Sequence, residues 1–451
     1  MRVHFIAIGG SAMHNLAIAL HKKGFKVTGS DDVLFEPAVS HLTQYGLLPA
    51  KEGWYPEKIT KDIDAIILGM HARADNPELL KAQELGIKIY SYPEYIYEYS
   101  KNKLRVVIGG SHGKTTITSM ILHVLRGAGM NFDYLVGAQL EGFDTMVKLS
   151  EDAPLIVIEG DEYLSSAIDR RPKFHLYRAN VAVISGIAWD HINVFPTFEM
   201  YAEQFSKFID TVEPGGKLVF CDADAVLKSL VEANSSAIEK IPYHLPAYNI
   251  KNGITNIIAG GDEYPLQVFG EHNLQNLEAA RLVCEILGVE AGTFYQNIST
   301  FKGAARRLEL VGRNKTSNFF KDFAHSPSKL KATIHAVKLQ FSGKRLIACI
   351  ELHTFSSLNK DFLEQYSGTM DEADEAIVFI DQKTFEQKKM TPYPAETVRS
   401  AFSRADIAFY NDPKLLENHL TKVEMKDTNL LMMSSGNFGG IDLPGLSVKI
   451  L

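Results

Sequence analysis

Short runs of apolar residues recur along the chain, and glycine-containing turns and helical patterns lie between them. Residues 3–8 predict a buried strand, residues 11–23 a helix, and residues 26–30 a second strand. Further strands are predicted at 65–69 and 88–90. Because strands alternate with helices, this pattern indicates a parallel sheet with helices covering its faces.

The polar residues 100–103 separate this first unit from a second one. Residues 105–108 predict a strand and residues 115–125 a helix. Two further apolar runs, 155–158 and 181–187, are typical of central strands that are buried on both faces. The second unit therefore also has the pattern of a parallel α/β sheet.

A helical stripe marks the last part of the chain. Leu330, Ile334, Val337 and Phe341 follow at i, i+4, i+7 and i+11, which is the spacing of a helix packed against a sheet. Ser326, directly before a proline, predicts the N-cap of this helix. Strands of the same unit are predicted at 346–350, 376–380, 407–410 and 430–433.

At roughly 150 residues per domain, a chain of 451 residues suggests about three domains. We therefore predict an α/β protein with a Rossmann-like N-terminal domain at 1–101. A central P-loop ATPase-like domain with a mostly parallel sheet follows at 102–302, and a Rossmann-like C-terminal domain at 303–451.

Composition narrows the class of protein. Apolar residues make up 45% and charged residues 22% of the chain, as in soluble globular proteins. The net charge of −7 argues against a nucleic-acid partner, because a protein that binds nucleic acid needs a basic face.

Cys221, Cys284 and Cys349 are odd in number and far apart, so we expect buried free thiols. No signal-like start or apolar run of about 20 residues is present, so we expect a cytoplasmic protein without a membrane partner.

A glycine-rich loop lies between the predicted strand 105–108 and the following helix. Glycines let backbone amides approach phosphate oxygens, and the helix N-terminus adds a positive dipole end. A lysine here can bridge the terminal phosphates, and a threonine hydroxyl can ligate Mg²⁺. The usual spacing would need glycine where Ile108 stands, so this is a shorter loop, and a turn that binds nothing is the less favoured alternative. The loop residues are Gly110, Ser111, His112, Gly113, Lys114, Thr115 and Thr116.

Two other strands of the second unit end in groups that could bind a metal ion. Glu159 follows the run 155–158, and His191 follows the run 181–187 after Asp190. Ligands of open α/β sheets gather beyond the carboxyl ends of the strands, where a carboxylate and an imidazole could hold magnesium. Separately, Glu159 could equally be a solvated acid, and His191 alone would more often be a hydrogen-bonded loop histidine.

Asn273 and Asn276 lie three residues apart at a predicted helix start. Amide side chains offer both a donor and an acceptor, so they could cap the helix or contact the edge of an adenine. The residues alone do not choose between these two roles.

Together these segments resemble the Mur ligase family, whose members add amino acids or peptides to UDP-N-acetylmuramate precursors. The likeness runs through almost the whole chain in the family's order. The matching segments are 110–116, 159–162, 190–191, 270–276, 303–309 and 322–327.

The resemblance implies that ATP and Mg²⁺ are the cofactors and that an acyl phosphate forms on the substrate carboxylate. Lys114, Glu159, His191 and Arg307 would be catalytic, with Thr115, Glu159 and His191 as magnesium ligands. Arg307 would face the γ-phosphate, although beside Arg306 it could instead belong to a solvated pair. The loop 110–116 would bind the ATP phosphates, Asn273 would face the adenine, and Asp322 the ribose.

In the first unit, a partial glycine fingerprint at 8–13 is followed about 20 residues later by Asp31, where a dinucleotide fold contacts a ribose. The resemblance implies that this turn holds the diphosphate of a UDP-sugar. The residues implied for the UDP-sugar are Gly9, Gly10, Ser11, Met13, Asp31 and His71.

For the amine substrate the resemblance implies His325, His353 and Asn437. Residues 169–178 and 434–441 are similar to murein peptide ligases, which attach the tripeptide L-alanyl-γ-D-glutamyl-meso-diaminopimelate. Residues 352–355 are nearer to ligases that attach L-alanine. We favour the tripeptide and keep L-alanine as the alternative.

Three positions depart from the pattern of the family. Lys321 replaces an acid, Ser326 replaces a frequent histidine, and Ser206 stands where several members have a carbamylated lysine. Muramate-recognising members also lack that lysine, whereas the first two departures leave the details of amine recognition open.

Two other functions compete with the ligase hypothesis. An NAD-dependent oxidoreductase would explain the first glycine turn and Asp31, but not the phosphate loop or Glu159. A non-catalytic sensor of UDP-muramyl precursors would not need the implied catalytic residues. The partners that we expect are UDP-N-acetylmuramate and the amine substrate, with the chain a monomer or homodimer.

Overall fold

The computed structural model describes residues 1–192, 194–304 and 307–451. These residues form two compact units. The first contains Met1–Ile187, Glu199–His244 and Ala279–Phe294, and the second contains Ala188–Phe198, Leu245–Glu278 and Tyr295–Leu451.

The N-terminal part of the first unit is a four-stranded parallel sheet in the order β2-β1-β3-β4. The predicted strand 3–8 ends at Ile6, since Ala7 has a φ of 65° that a strand cannot continue. Asn76 caps α3, where its side chain accepts from the amides of Glu78 and Leu79. The strands are β1 Arg2–Ile6, β2 Lys26–Ser30, β3 Ala65–Leu68 and β4 Ile89–Ser91, and the helices are α1 Ser11–Lys22, α2 Ala38–Gln44, α3 Pro77–Glu84 and α4 Tyr92–Ser100, with a 3-10 helix at Pro56–Lys58.

The second sheet of this unit has seven strands in the order β11-β10-β9-β5-β8-β6-β7. All neighbouring pairs are parallel except β6 with β7, as predicted for a mostly parallel central sheet. The strand predicted at 181–187 ends at Ile184, because Gly186 has a φ of 141°. The strands are β5 Leu104–Gly109, β6 Asp133–Leu135, β7 Val147–Lys148, β8 Leu155–Glu159, β9 Val181–Ile184, β10 Lys217–Cys221 and β11 Glu239–Tyr243, and the helices are α5 Lys114–Gly127, α6 Lys173–Leu176, α7 Phe198–Asp210 and α8 Ala225–Ala233.

A buried arginine fastens the polar segment between these two sheets. The Arg105 guanidinium donates to the carbonyls of Ser100, Lys101 and Lys103 at 2.9 to 3.1 Å. Its Nε donates to the carbonyls of Tyr177 and Arg178, which precede β9. The polar segment 100–103 is therefore fixed by three hydrogen bonds to one side chain, which two further hydrogen bonds join to the residues before β9.

The second unit contains a small antiparallel sheet in the order β12-β13-β14, which the sequence pattern did not predict. Its two turns contain Asn252-Gly253 and Gly260-Gly261, all with positive φ. These dipeptides are the common signal of two-residue hairpins, so a signal for the sheet was present. The strands are β12 Tyr248–Lys251, β13 Ile254–Ala259 and β14 Asp262–Pro265. Helices α9 Glu271–Ile286 and α10 Ala291–Ile298 follow, and the stretch Ala279–Phe294 within them belongs to the first unit.

The C-terminal sheet, also in the second unit, has six strands in the order β15-β16-β20-β17-β18-β19. Only the edge pair β15–β16 is antiparallel. The strands are β15 Glu309–Arg313, β16 Asn318–Asp322, β17 Arg345–Glu351, β18 Glu375–Phe379, β19 Ala408–Tyr410 and β20 Thr428–Met433. The helices are α11 Pro327–Gln340, α12 Phe355–Leu358, α13 Gln382–Lys388, α14 Ala395–Ala401, α15 Pro413–Leu420 and α16 Leu443–Ile450, with 3-10 helices at Leu363–Tyr366 and Phe438–Gly440.

The stripe predicted on α11 is confirmed, because Leu330, Ile334 and Val337 are buried in one core cluster. Phe341 packs against that cluster from just beyond the end of the helix. Ser326 occupies the N-cap position, but its hydroxyl is buried without a hydrogen-bond partner among the described residues, so no side-chain cap forms.

The three cysteines are buried and free, as predicted. Within the described part of the chain, none of the helices has the length and apolar character that crossing a bilayer requires.

Candidate functional site

The glycine loop joins the end of β5 to the start of α5 and contains two glycines with positive φ. Gly110 has a φ of 124°, and a Cβ there would lie 2.2 Å from Ser185 Oγ. Gly113 has a φ of 75° and directly precedes Lys114, the first residue of α5. The loop is held at its other side, where the amide of Ser111 donates to the carbonyl of Gly186 at 3.0 Å. The backbone thus has the glycine conformations and the helix N-terminus that bind phosphate.

Lys114 is held between the loop and a buried carboxylate. Its Nζ donates to the carbonyl of Gly110 and to Glu162 Oε2, both at 2.6 Å. Burial alone would lower the pKa of Lys114, but the carboxylates of Glu162 and Asp161 outweigh it and raise that pKa. Lys114 is therefore cationic at neutral pH and has a fixed position at the mouth of the loop.

Glu162 itself is fixed by a tyrosine that the sequence did not single out. The Tyr201 hydroxyl donates to Glu162 Oε1 at 3.0 Å and lies 2.8 Å from Ser111 Oγ. The Glu162 side chain is 1% exposed, so this carboxylate is available to Lys114 rather than to water. Tyr201 lies on the apolar face of α7, where the sequence pattern indicates only a core residue.

Thr115 and Glu159 meet at the carboxyl end of the sheet, as the sequence predicts. Thr115 Oγ1 donates to Glu159 Oε1 at 2.8 Å, and the amide of Gly137 donates to Glu159 Oε2 at 2.7 Å. A Cβ on Gly137 would lie 2.7 Å from the same carboxylate, so Glu159 has a close backbone cradle. Burial raises the pKa of Glu159, against the effect of these two hydrogen bonds.

This pair fits a magnesium ion in its chemistry. A hydroxyl and a carboxylate are the hard oxygen ligands that Mg²⁺ prefers, and a nearby cation would offset the cost of burying the Glu159 charge. In the described ranges, no group of three or more His, Cys, Asp or Glu could hold a metal ion. Phosphate oxygens and water would therefore supply most of the remaining ligands.

His191, the third predicted magnesium ligand, belongs to the second unit. It has a φ of 56°, and its amide donates to Asp190 Oδ1 at 2.7 Å. Asp190 lies 3.9 Å from Lys329 Nζ. Burial would raise the pKa of Asp190, but His191 and Lys329 outweigh it and lower that pKa. A role of His191 together with Glu159 stays a prediction.

The remaining ATP residues predicted from the sequence have defined surroundings within the second unit. Asn273 Nδ2 donates to the carbonyl of Phe269 at 2.8 Å, and among the described residues no donor reaches its Oδ1. Its side chain therefore does not cap α9 by accepting an amide. Asp322 accepts from the amides of Leu308 and Ala324, both at 2.7 Å.

The predicted Arg307 lies against an aromatic ring of the same unit. Its guanidinium carbon is 4.7 Å from the centroid of Phe323. The neighbouring Arg306, the other half of the solvated pair considered above, lies outside the described residues. The guanidinium is thus stacked on Phe323, which restricts its orientation.

Two of the three predicted amine-site residues lie around a glutamate that the sequence did not single out. Glu351 is 2% exposed and accepts from the Ser434 hydroxyl and from the Phe438 amide, so it connects the end of β17 to the segment that contains Asn437. His353 Nδ1 is 3.9 Å from Glu351 Oε1 and has no hydrogen-bond partner among the described residues. A glutamate at the end of an apolar strand was the signal for this role.

The third, His325, is half-buried in the same unit. Its Nδ1 lies 2.8 Å from the carbonyl of Phe323. Burial, and then Lys329, lower the pKa of His325 to about 4, so the ring is neutral at pH 7.

At the N-terminal glycine turn, Asp31 binds the turn itself. The amide of Gly9 donates to Asp31 Oδ2 at 2.6 Å, and a Cβ on Gly9 would lie 2.9 Å from that oxygen. Asp31 therefore orients the turn, and its predicted ribose contact stays a prediction. Of the other residues predicted for the UDP-sugar, Ser11 begins α1, Gly10 is its N-cap, Met13 is buried, and His71 is exposed.

Burial raises the pKa of Asp31 to about 6, whereas an unfolded aspartate titrates near 4. The folded chain thus holds this proton more tightly, so the stability from Asp31 is present below about pH 4 and is lost as pH rises to about 6. We expect Asp31→Asn to show a smaller fall in the unfolding temperature between about pH 4.5 and pH 7 than the parent chain. An equal fall in both proteins would contradict this, and Asp75→Asn, at an exposed position, is the control.

Comparison with known proteins points to one family. The description "Mur ligase middle domain" matches residues 108–284, and "Mur ligase family, catalytic domain" matches residues 2–103. A UDP-N-acetylmuramate–L-alanine ligase of Clostridium kluyveri is 32% identical over 396 residues, which cover 84% of this chain and 82% of that protein.

Solved structures agree with the fold. The UDP-N-acetylmuramate–alanine ligase of Thermotoga maritima has a TM-score of 0.72 at 20% identity and covers 100% of this chain and 98% of that one. The UDP-N-acetylmuramate:L-alanyl-γ-D-glutamyl-meso-diaminopimelate ligase of Neisseria meningitides has a TM-score of 0.61 at 25% identity, covering 68% of this chain and 99% of that one. The α/β fold with three domains that the sequence predicts is confirmed by this likeness.

Proposed function

Since this chain belongs to the Mur ligase family, we propose that it joins the carboxylate of UDP-N-acetylmuramate to the amino group of L-alanine. Membership in the family makes the chain an ATP-dependent ligase that forms an amide bond. The observation that carries the proposal is the position of Lys114, which is charged and fixed beside the Thr115–Glu159 pair at the phosphate loop.

The first step activates a carboxylate, which is a poor electrophile until its oxygen becomes part of a leaving group. A carboxylate oxygen attacks the γ-phosphorus of ATP, the bond to the β–γ bridging oxygen breaks, and ADP leaves. Lys114 would stabilise the charge on the transferred phosphoryl group, and the amides of the loop would hold the phosphates. Mg²⁺ at Thr115 and Glu159 would neutralise phosphate charge and orient the triphosphate.

In the second step the amine attacks the acyl carbon. Phosphate leaves as the carbon–nitrogen bond forms, and the amine nitrogen loses its proton. His325 is neutral at pH 7, so it could accept a hydrogen bond from the amine, whose proton would pass to water. The ends of β16 and β17, with His325 and His353 beyond them, are where we place the amine.

The sequence motifs and the similar proteins favour different amine donors. The sequence favours the tripeptide, whereas the relative that covers most of this chain at 32% identity is an L-alanine ligase, and this supports L-alanine better. The tripeptide stays the second candidate because the Neisseria enzyme, which is 25% identical over the matched region, takes it. Both donors would form the same bond, since the tripeptide also begins with L-alanine.

Phosphate release from ATP in the presence of UDP-N-acetylmuramate tests the proposal. The chain should release phosphate when L-alanine is added and should form UDP-N-acetylmuramoyl-L-alanine, which mass spectrometry detects. Release without any amine, or no release with either donor, would contradict the proposal. Release with the tripeptide alone would make the second candidate correct.

Glu162 should influence kcat because it holds Lys114 in position. We expect Glu162→Gln to lower kcat about 10- to 100-fold, because a charge-assisted hydrogen bond contributes about 1.5–3 kcal/mol and the lysine loses its fixed position. Steady-state phosphate release measures the change. Glu199→Gln, on the exposed side of the start of α7, is the matched control and should keep the parent rate. An unchanged rate in Glu162→Gln would remove this residue from the mechanism.

A further inference from the structure

One buried asparagine in helix α1 binds a distant part of the first unit. Asn15 is 2% exposed, and its Oδ1 accepts from the backbone amide of Met146 at 3.2 Å. Its Nδ2 donates to the carbonyl of Ser11, the first residue of α1, at 2.9 Å. Asn15 therefore joins the first turn of α1 to a residue that lies 131 positions later in the chain.

The orientation of the Asn15 amide group is determined by its partners. A backbone amide can only donate and a carbonyl can only accept, so a flipped side chain would lose the hydrogen bonds to Met146 and Ser11. The same Nδ2 also lies 2.9 Å from His14 Nε2, while His14 Nδ1 lies 3.0 Å from the carbonyl of Gly10. Burial lowers the pKa of His14, so the ring is neutral at pH 7 and its Nε2 accepts from Asn15.

Met146 belongs to the β6–β7 hairpin, residues 133–148, whose opposite side contains Gly137. The two strands are antiparallel, and beyond them the amide of Val136 donates to the carbonyl of Met146 at 3.0 Å. Gly137 follows directly, and its amide donates to Glu159 Oε2 at 2.7 Å. One backbone hydrogen bond thus connects the residue that α1 binds with the neighbour of the residue that cradles Glu159.

The tip of the β6–β7 hairpin is held separately by Arg126 of α5. Its Nη1 donates to the carbonyl of Gly142 at 2.7 Å, and its guanidinium carbon lies 4.7 Å from the ring centroid of Phe143. The ring of Phe143 also meets Tyr134 edge-on, with centroids 5.1 Å apart. We therefore expect the hairpin to stay folded when Asn15 is changed, and only its side next to Gly137 to lose a contact.

The two ends of this connection lie at the two ligand sites predicted in the first unit. Ser11 belongs to the glycine turn implied for the UDP-sugar, and Glu159 pairs with Thr115 at the phosphate loop. A ligand that holds the turn also restricts the first turn of α1, and through Asn15 it restricts the hairpin. The entropy cost of fixing the hairpin is then smaller when the second ligand binds, so that ligand binds more tightly.

We propose that Asn15 is a positioning residue that couples the UDP-sugar turn to Glu159 through the β6–β7 hairpin. Binding of the UDP-sugar raises the affinity for ATP with Mg²⁺, and by thermodynamic reciprocity ATP raises the affinity for the UDP-sugar by the same factor. The inference rests on the proposed function for the identity of the two ligands, and it adds no bond-forming step.

Isothermal titration measures this coupling without turnover. The β,γ-imido analogue of ATP is titrated with Mg²⁺, first without and then with saturating UDP-N-acetylmuramate. In the parent chain we expect the UDP-sugar to tighten binding of the analogue at least about 5-fold, which is the lower end of typical couplings. In Asn15→Leu, which keeps the size of the side chain but not its hydrogen bonds, the factor should fall to about one. Asn15→Ala should give the same result.

Hydrogen exchange provides a second readout, which a purely structural role of Asn15 would not produce. UDP-N-acetylmuramate alone should slow amide exchange in residues 136–146 of the parent chain. It should leave that exchange unchanged in Asn15→Leu, although the variant still binds the UDP-sugar through the glycine turn.

Two control variants should keep the coupling factor of the parent chain. Met146→Leu retains the backbone amide that Asn15 binds, and Asn131→Ala removes an exposed asparagine that donates to Asp152. No coupling in the parent chain, or coupling like the parent's in both Asn15 variants, would overturn this inference and leave the proposed function standing. Failure of the parent chain to bind UDP-N-acetylmuramate would reject the proposed function together with it.

Discussion

Lys114→Ala should lose at least about 10²–10³-fold in kcat while its affinity for UDP-N-acetylmuramate stays close to that of the parent chain. The lysine is placed by Gly110 and Glu162 to meet the transferred phosphoryl group, and removing one such fixed charge has an effect of this size. The N-terminal glycine turn proposed for the UDP-sugar makes no contact with Lys114 in the described structure, so sugar binding should survive.

Phosphate release measures the first part, and isothermal titration with UDP-N-acetylmuramate alone measures the second. Lys114→Arg keeps the charge but changes its shape, so it should recover only part of the rate. If Lys114→Ala turned over normally, the loop would have no part in catalysis. If it also lost UDP-sugar binding, the residue would be structural rather than chemical.

Gly110→Ala should weaken ATP binding more than 100-fold. The new methyl group would lie 2.2 Å from Ser185 Oγ and 2.8 Å from the Ser185 amide, at a φ of 124° that L-residues rarely adopt. The loop must therefore shift, and its amides would no longer converge on phosphate. Titration with ATP and Mg²⁺ measures the loss.

Gly129 provides a control for the effect of adding a methyl group to a glycine with positive φ. It also has a positive φ, of 70°, but a Cβ there would meet nothing within 4 Å. Gly129→Ala should cost about 1 kcal/mol of stability and leave ATP binding intact. Equal loss of ATP affinity in the two variants would contradict the prediction, because Gly129 lies beyond the end of α5 and outside the phosphate loop.

The parts of the fold that the sequence predicted are those where local pattern and burial agree. The strand that becomes β5, the loop after it and helix α5 carry an apolar run, glycines and a lysine in consecutive order, so their arrangement follows from neighbours in the chain. The meeting of Thr115 and Glu159 was predictable for a related reason, since β5 and β8 are parallel and end at the same edge.

What the sequence did not show depends on contacts between distant residues. Tyr201 reaches Glu162 from a helix whose pattern indicates only core packing, and Glu351 meets Ser434 across 83 positions. Asp31 was predicted to contact a ribose, whereas its bond to the Gly9 amide depends on the distance between two strand ends. Which distant residues form hydrogen bonds with each other depends on tertiary packing, and the periodicity of apolar residues does not predict it.

The hydrogen bonds from Arg105 to the carbonyls of residues 100–103 affect how the chain would respond to a protease. Lys101 and Lys103 are trypsin sites in a polar segment that a sequence-based reading places between two domains, where proteolytic cuts usually concentrate. Here the backbone carbonyls of both residues are bound by one guanidinium, and Lys103 Nζ also donates to Asp133 at 2.6 Å. A protease binds its substrate as an extended segment, and the hydrogen bonds to Arg105 prevent residues 100–103 from extending. We therefore expect the native chain to resist trypsin at Lys101 and Lys103. The N-terminal and central sheets would consequently be recovered as one fragment.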